Sequence, residues 1–500
     1  MRSIGAKLGE RKSIADYALP SDAGDYAPAI ERASAAGVTD LILPAGTQYT
    51  LKRPFTLPSA NMRLTCDGQK TTEVRLLGAN DYFGIVGNAT TTSYNFYVEG
   101  CLLTKEQASS KGAILKLQNV YKWGFNYIRV YGEDKFWRVL ELVTASAGIS
   151  RNVDVDHILD RAVYATGGTA PFGTPSGGVI DNIFDLWYVI SALVNPADPT
   201  TAGLFDFVDN YQAQWVTNLK AAKFKGYAVN FGGTVANRGT NTLNLVFNPN
   251  IEASEEKVGV VRFGAVVSSQ VGGPASWVSA TGMPAFALTA DSQNNTVRGL
   301  QVGLAGTGAQ AVSDAGTLNL IEDIEAVGYD ANADAGLAIG STASKGRYRR
   351  LKVAQLKRVI VDQSPDTAGH SIEDVTYTAI TGQPLTGLAG TENSNKVVKD
   401  ITNLDAGAPT LGAAATLSLP DKGETFTINT AGTINLITPT YIGRRVTLLL
   451  AQGGTTIGDL QGGKGTGAIY LGKPLTTTDG RSRITLEWRC DYWWEISRTH

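Results

Sequence analysis

A short phrase, Asn followed by an aliphatic residue, keeps returning along this chain. It reads Asn119-Val120, Asn152-Val153, Asn182-Ile183 and Asn218-Leu219, with Thr242-Leu243 as a looser copy. Further on, the same apolar spacing picks out Val297/Leu300/Val302, Ile321/Ile324, Tyr348/Leu351/Val353, Ile372/Val375/Tyr377 and Val398/Ile401. The intervals between aliphatics are 33, 30, 36 and 24 residues in the first set and 24, 27, 24 and 26 in the second. A period of this length marks a repeat architecture. The flanking residues are β-branched or aromatic, with apolar positions two apart, which is strand periodicity. One strand-turn-strand unit cannot bury its own apolar face, so successive units stack. Equivalent residues then lie about 4.8 Å apart, and Asn before each strand forms a ladder that caps the turn and bonds its equivalents above and below. The expected fold is all-β, a parallel β-helix.

Composition agrees with coils and tight turns. The charged fraction is 18%, below the usual ~25%, and 56 of 500 residues are glycine. A net charge of -2 offers no basic surface for nucleic acid or a membrane. No apolar run has membrane length, and residues 1–24 lack the apolar core of a signal peptide, so synthesis in a cytoplasm without that export route is expected. Cys66, Cys101 and Cys490 are odd in number and far apart, with no Cys/His cluster. Buried free thiols are expected, and neither a metal nor another cofactor.

Three regions follow from the pattern: a polar lead over 1–24, coils over 25–405 and a non-repeating end over 406–500. Within the coils a helix is expected over Asp25–Gly37, with Asp25 as cap, Pro28 in the first turn and Gly37 at the exit. Its face Tyr26, Ile30, Ala33 and Ala36 suits a lid for the open end of a solenoid. Intervals are longest between Val120 and Leu219, so loops and function are expected there. Aromatics gather in the same stretch, whereas the coils after 290 read as shaft. Alternating segments such as Thr416–Leu419 and Arg483–Trp488 predict an antiparallel β domain at the end of the chain.

The run Lys7–Tyr17, the Ala-rich helix and the strand Leu41–Leu51 together resemble the opening of phage tailspikes, members of the pectate-lyase-like β-helix superfamily. The family's Gly-Asp-Gly-Val-x-Asp-Asp before the helix is reduced here to Asp22-Ala23-Gly24-Asp25. The segments Gly443–Leu448 and Asp491–Arg498 resemble the C-terminal β domain of several tailspikes. The resemblance implies a right-handed, single-stranded parallel β-helix, a homotrimer joined through 406–500, and recognition of bacterial surface polysaccharide. It also implies a place on a virion, with residues 1–24 meeting a tail or baseplate adaptor protein.

No nucleophile elbow, P-loop, HExxH or EF-hand loop is present. The chemistry open to a β-helix is a carboxylate pair on neighbouring coils, because carboxyls about 5 Å or 6.5–9.5 Å apart suit retaining or inverting glycoside hydrolysis. Counting from each aliphatic, positions three and five further on point inward and position four points outward. That indexing nominates Asp154, Asp185, Asp160 and Asp181 as candidate catalytic acids. His157, Trp187, Trp215, Tyr188 and Lys223 are nominated for the ligand, Trp187 as a stacking platform for a sugar ring. Asp156 falls on an inward position, which means either a slipped register there or a satisfied buried acid. A pectate-type lyase would need a calcium cage of several acids, and no compact acidic cage appears. A non-enzymatic spike or adhesin would need only the aromatic groove.

Overall fold

The computed structural model describes residues 11–499 apart from 69, 169–176, 194, 389–394, 404–409, 421–423, 479, 481 and 490, with backbone alone at 274–276, 399 and 403. Lys7–Glu10 of the tailspike-like run, Cys490 and the 405/406 boundary lie outside the described residues. The chain forms two compact units, Met1–Thr281 and Gly282–His500. Both carry right-handed parallel β-helix coils, and the second ends in separate small sheets.

In the first unit, each coil pairs in parallel with the next. Val120–Tyr131 pairs with Ile149–Asp156, which pairs with Val179–Ile190, which pairs with Tyr211–Thr217 and Lys220–Ala222. Of the corners that turn each coil, two flank the strand segment 148–151 and its equivalents, and both are made by residues held at positive φ. Lys122, Ala147, Asp181, Ala213 and Leu243 form one corner column, and Tyr127, Asn152, Leu186, Asn218 and Asn248 the other. A left-handed conformation costs a non-glycine residue about 1–2 kcal/mol. The rung that follows the first corner offsets it. Gly148 N–H donates to Asn182 Oδ1 at 2.9 Å, Gln214 N–H to Asn244 Oδ1 at 3.0 Å and Asn244 N–H to Ser269 Oγ at 3.1 Å. Asn182, Asn244 and Ser269 are 0%, 1% and 0% exposed, so each of these side chains satisfies a backbone donor that the corner has turned into the core.

The predicted Asn ladder therefore exists, but the Asn-aliphatic phrase mixes three columns. Asn182 is a rung, Asn152 and Asn218 sit at the second corner, and Asn119 accepts from Thr144 Oγ1 elsewhere on the coil. Val153 accordingly pairs with Trp187, not with Ile183. In the second unit the expected alignment holds: Val297, Ile321, Tyr348, Ile372 and Val398 are register partners in turn. A rung column recurs there, with Asn295 N–H donating to Asn319 Oδ1 at 2.9 Å and Gly346 N–H to His370 Nδ1 at 3.1 Å.

The expectation of free thiols fails at Cys66 and Cys101, which form a disulfide. Their separation of 35 residues is about one coil, so stacking sets the two side chains on neighbouring turns with Cα atoms 5.1 Å apart. The expected helix is Ala27–Ala35, with Pro28 at its start. Asp25 Oδ1 accepts from Ala27 N–H and Lys52 N–H, both at 3.0 Å. Its buried face is Ala27, Ala29, Ile30 and Ala33, set against Phe55–Leu57. Ala36, expected on that face, is exposed.

The chain after 410 buries its own core of Phe426, Ile428, Leu448, Ile484, Trp488 and Trp493 among others. Arg445–Leu450, Ser482–Trp488 and Trp493–Thr499 pair antiparallel as expected, while Thr410–Leu411, Thr425–Ile428 and Arg445–Leu450 pair in parallel. No described helix is long and apolar enough to cross a membrane.

Candidate functional site

The site lies on the outward side of the first unit's coils, after the second corner. Alternation there points Val153 and Val155 into the core and Asp154 and Asp156 outward. Register then sets Arg129, Asp154, Tyr188 and Lys220 in one outward column, and Tyr131, Asp156, Ile190 and Ala222 in the next. Tyr127, Tyr131 and Tyr188 are 54%, 43% and 37% exposed. Lys220 Nζ stands 5.2 Å from the centre of the Tyr188 ring. On the strand between the corners, Ile149, Ile183 and Trp215 form another outward column, in which Trp215 is 45% exposed. Tyr94 and Tyr121 meet edge to face at 6.0 Å. They wall a groove of about 190 Å³ with Asn119, Thr144, Ser146 and Ile180.

The nominated carboxylates part company. Asp154 lies 2.7 Å from Lys70 Nζ, which also bonds Asn152 Oδ1 at 2.9 Å. Asp185 accepts from Thr217 Oγ1 at 2.7 Å and Asn218 Nδ2 at 2.9 Å, and its other oxygen lies 3.5 Å from Arg151 Nε. Asp154 pairs in register with Tyr188, and Asp185 with Arg151. One coil and three positions therefore separate the two acids, and the second corner at Asn152 and Leu186 lies between them. They project from different faces of the coil rather than facing each other as an inverting pair does. Asp181 is exposed at the first corner, on the far side of the strand Asn182–Asp185.

Asp160 is 6% exposed and belongs to a different cluster. Arg138 Nε reaches it at 2.6 Å and Arg161 Nη1 at 2.8 Å, while Arg161 also holds Asp206. Arg138 sits over the Tyr164 ring at 4.4 Å. Burial pushes the Asp206 carboxyl up against the pull of Arg161, and burial also raises Tyr164. With Asp160 and Asp206 only 6% and 3% exposed, this network joins coils and keeps its carboxylates away from solvent.

Trp187 cannot be a sugar platform. It is 1% exposed and packs on Phe184, Phe125 and Phe205 at 5.2–6.5 Å between ring centres. Indexing from Ile183 placed it outward; indexing from the corner residue Leu186, as the register requires, places it inward beside Val153. The same slip hid Asp156, which points outward beside Asp154 and is met by His157 Nδ1. His157 and Lys223 are exposed at a third corner, both at positive φ. Sequence reasoning also missed Arg129 and Lys70, and it counted Tyr127 and Tyr131 among the aromatics of this stretch without nominating them for the ligand. Counting from the left-handed corner, where Asn152, Asn218 and Asn248 gave a signal, would have placed Arg129 and Tyr131.

Fold and face together define a parallel β-helix protein with an aromatic, charged lateral surface. No family model and no curated protein matches the chain. Similar solved structures include the A-module of mannuronan C-5 epimerase AlgE4 from Azotobacter vinelandii, at TM-score 0.48 and 14% identity over 77% of this chain and 99% of that one. Tailspike protein 3 of bacteriophage CBA120 follows at 0.46 and 12%, covering 83% of this chain and 65% of that one. A mutant tailspike of E. coli bacteriophage HK620, in complex with a pentasaccharide, stands at 0.46 and 12%, covering 81% and 82%. At such identities the likeness is one of fold.

Proposed function

We propose that this protein binds bacterial surface polysaccharide along the outward face of its first unit, as a spike of the phage-tail kind. The observation that supports this reading is the run of exposed rings Tyr127, Tyr131, Tyr188 and Trp215 on a rigid stack, interleaved with hydrogen-bonding charges. Aromatic faces offer sugars large apolar area while neighbouring polar groups fix orientation. The proposal extends to a homotrimer on a virion, held through residues 1–24 by a tail adaptor and joined through 406–500. Within it, Asp154 and Asp156 are the carboxylates assigned to hydrolysis. They stand two residues apart on one strand face, about 6.6 Å between Cα atoms, near the inverting separation.

A panel of purified capsular and O-antigen polysaccharides tests this, with tryptophan fluorescence reporting binding and size-exclusion chromatography reporting chain length. Saturable quenching by one polymer, weakened tenfold or more in Trp215→Ala and Tyr188→Ala, supports the reading. Shortening of that polymer, lost in Asp154→Asn and in Asp156→Asn, supports hydrolysis. Binding without shortening removes hydrolysis, and absence of binding across the panel removes the function. A second reading takes the face as a contact between copies, favoured by Ile149, Leu186, Leu243 and Phe247, each at least 42% exposed. On that reading Trp215→Ala changes the oligomeric state and leaves polysaccharide binding untouched.

A further inference from the structure

Three carboxylates of this face, Asp154, Asp185 and Asp156, are already matched by cations or hydrogen-bond donors of the chain itself. Lys70 holds Asp154, Arg151 with Thr217 and Asn218 holds Asp185, and His157 meets Asp156. Two cations in the same outward column are not matched. Among the described residues Arg129 has no carboxylate within ion-pair distance, although its register partner is Asp154, because Lys70 has taken that carboxylate. Lys220 has no carboxylate either and rests over the Tyr188 ring. Both are exposed. They stand three coils apart, roughly 14 Å along the stack, with the Lys70-bound Asp154 and then Tyr188 between them and Tyr127 and Tyr131 flanking Arg129. Two carboxylates nearby have no cation among the described residues: Asp181, exposed at the other corner five residues before Leu186, and Glu252, exposed one coil beyond Ala222.

We propose that this column selects an acidic polysaccharide, one whose repeat carries a carboxylate or phosphate, with Arg129 and Lys220 gripping successive anionic groups and Tyr188 stacking on the sugar between them. Arg129 presents a planar fork suited to a carboxylate or phosphate. Lys220, poised over a ring, acts as a point charge that a second anion can approach. The inference rests on the polysaccharide reading above and adds the charge of the polymer.

The test is binding of the full chain to polysialic acid, colanic acid and polygalacturonate, set against dextran, levan and amylose. Any acidic polymer that binds is then carboxyl-reduced and measured again. The expected result is binding within the acidic set alone, weakened tenfold or more between 50 and 300 mM salt and on carboxyl reduction. Arg129→Gln with Lys220→Gln should weaken it by the same order, with thermal melting unchanged because both side chains are exposed. Binding of a neutral polymer that ignores salt and the double variant overturns this inference and leaves the polysaccharide reading intact. Failure of every polymer in both sets overturns both.

Discussion

Replacing Asn319 by Leu removes one rung from the inner ladder while roughly conserving volume, so the cost comes from hydrogen bonds alone. Asn319 is 0% exposed. Its Oδ1 accepts from Asn295 N–H at 2.9 Å, and its Nδ2 donates to Asp314 Oδ1 at 2.9 Å. The substitution leaves a buried N–H without that acceptor, about 1–3 kcal/mol, and takes one donor from a buried carboxylate, about 1.5–3 kcal/mol. Burial already pushes the Asp314 carboxyl up, against Gly316 N–H, Asn319 and Tyr348, so the loss falls on a group with little reserve. The sum is about 2.5–6 kcal/mol. At about 2–4 °C per kcal/mol for a unit of this size, calorimetry should record a fall on the order of 10 °C in the transition of the second unit. Gln301→Leu, on the exposed face of the neighbouring coil, should stay within about 0.5 kcal/mol. An Asn319→Leu protein that melts with the wild type would refute the ladder as a source of stability.

His370 occupies an equivalent rung, where burial lowers its pKa, Asp362 opposing and Lys396 assisting. Its folded pKa lies below the unfolded value of about 6.5, so the contribution is full above that pH and is lost as pH falls through it toward the folded value. Melting temperature should drop from pH 7.5 to pH 5, and His370→Asn, which keeps an acceptor for Gly346 N–H, should flatten the drop. Lys105 is 3% exposed, donates to Asn80 O at 2.6 Å, and is pushed down to about 8 by burial. The unfolded lysine binds its proton up to about pH 10.4, so stability should rise between pH 8 and 10. Lys105→Met should abolish that rise and add about 2–3 kcal/mol at pH 7 by denaturant titration. Cys66→Ser with Cys101→Ser opens a bridge spanning 35 residues, for a loss of about 3–4 kcal/mol. Reduction of the wild type should lower its melting temperature to match.

The repeat, its strand character and the ladder were legible because stacking leaves a period in the sequence. In the second unit even the register was legible, since short coils keep Val297, Ile321, Tyr348, Ile372 and Val398 at near-constant spacing. The first unit defeated the count because Asn serves three physical purposes there: rung at Asn182, left-handed corner at Asn152 and Asn218, and side-chain acceptor at Asn119. Propensity alone cannot separate those uses. A slip of four residues then exchanged Trp187, a core side chain, for the exposed ones. The disulfide was hidden for a related reason: 35 residues looks remote until the coil length is known.

Every placement on the face depends on register, and paired cysteines read register directly. Asp154→Cys with Tyr188→Cys puts two thiols on in-register neighbours about 4.8 Å apart at Cα, inside the range a disulfide spans. Asp154→Cys with Asp185→Cys puts them one coil and three positions apart, on either side of a corner. Mass spectrometry of the oxidised proteins should find the first pair linked and the second open. A link in the second pair and none in the first would contradict the coil register, and with it the column that carries Arg129, Asp154, Tyr188 and Lys220.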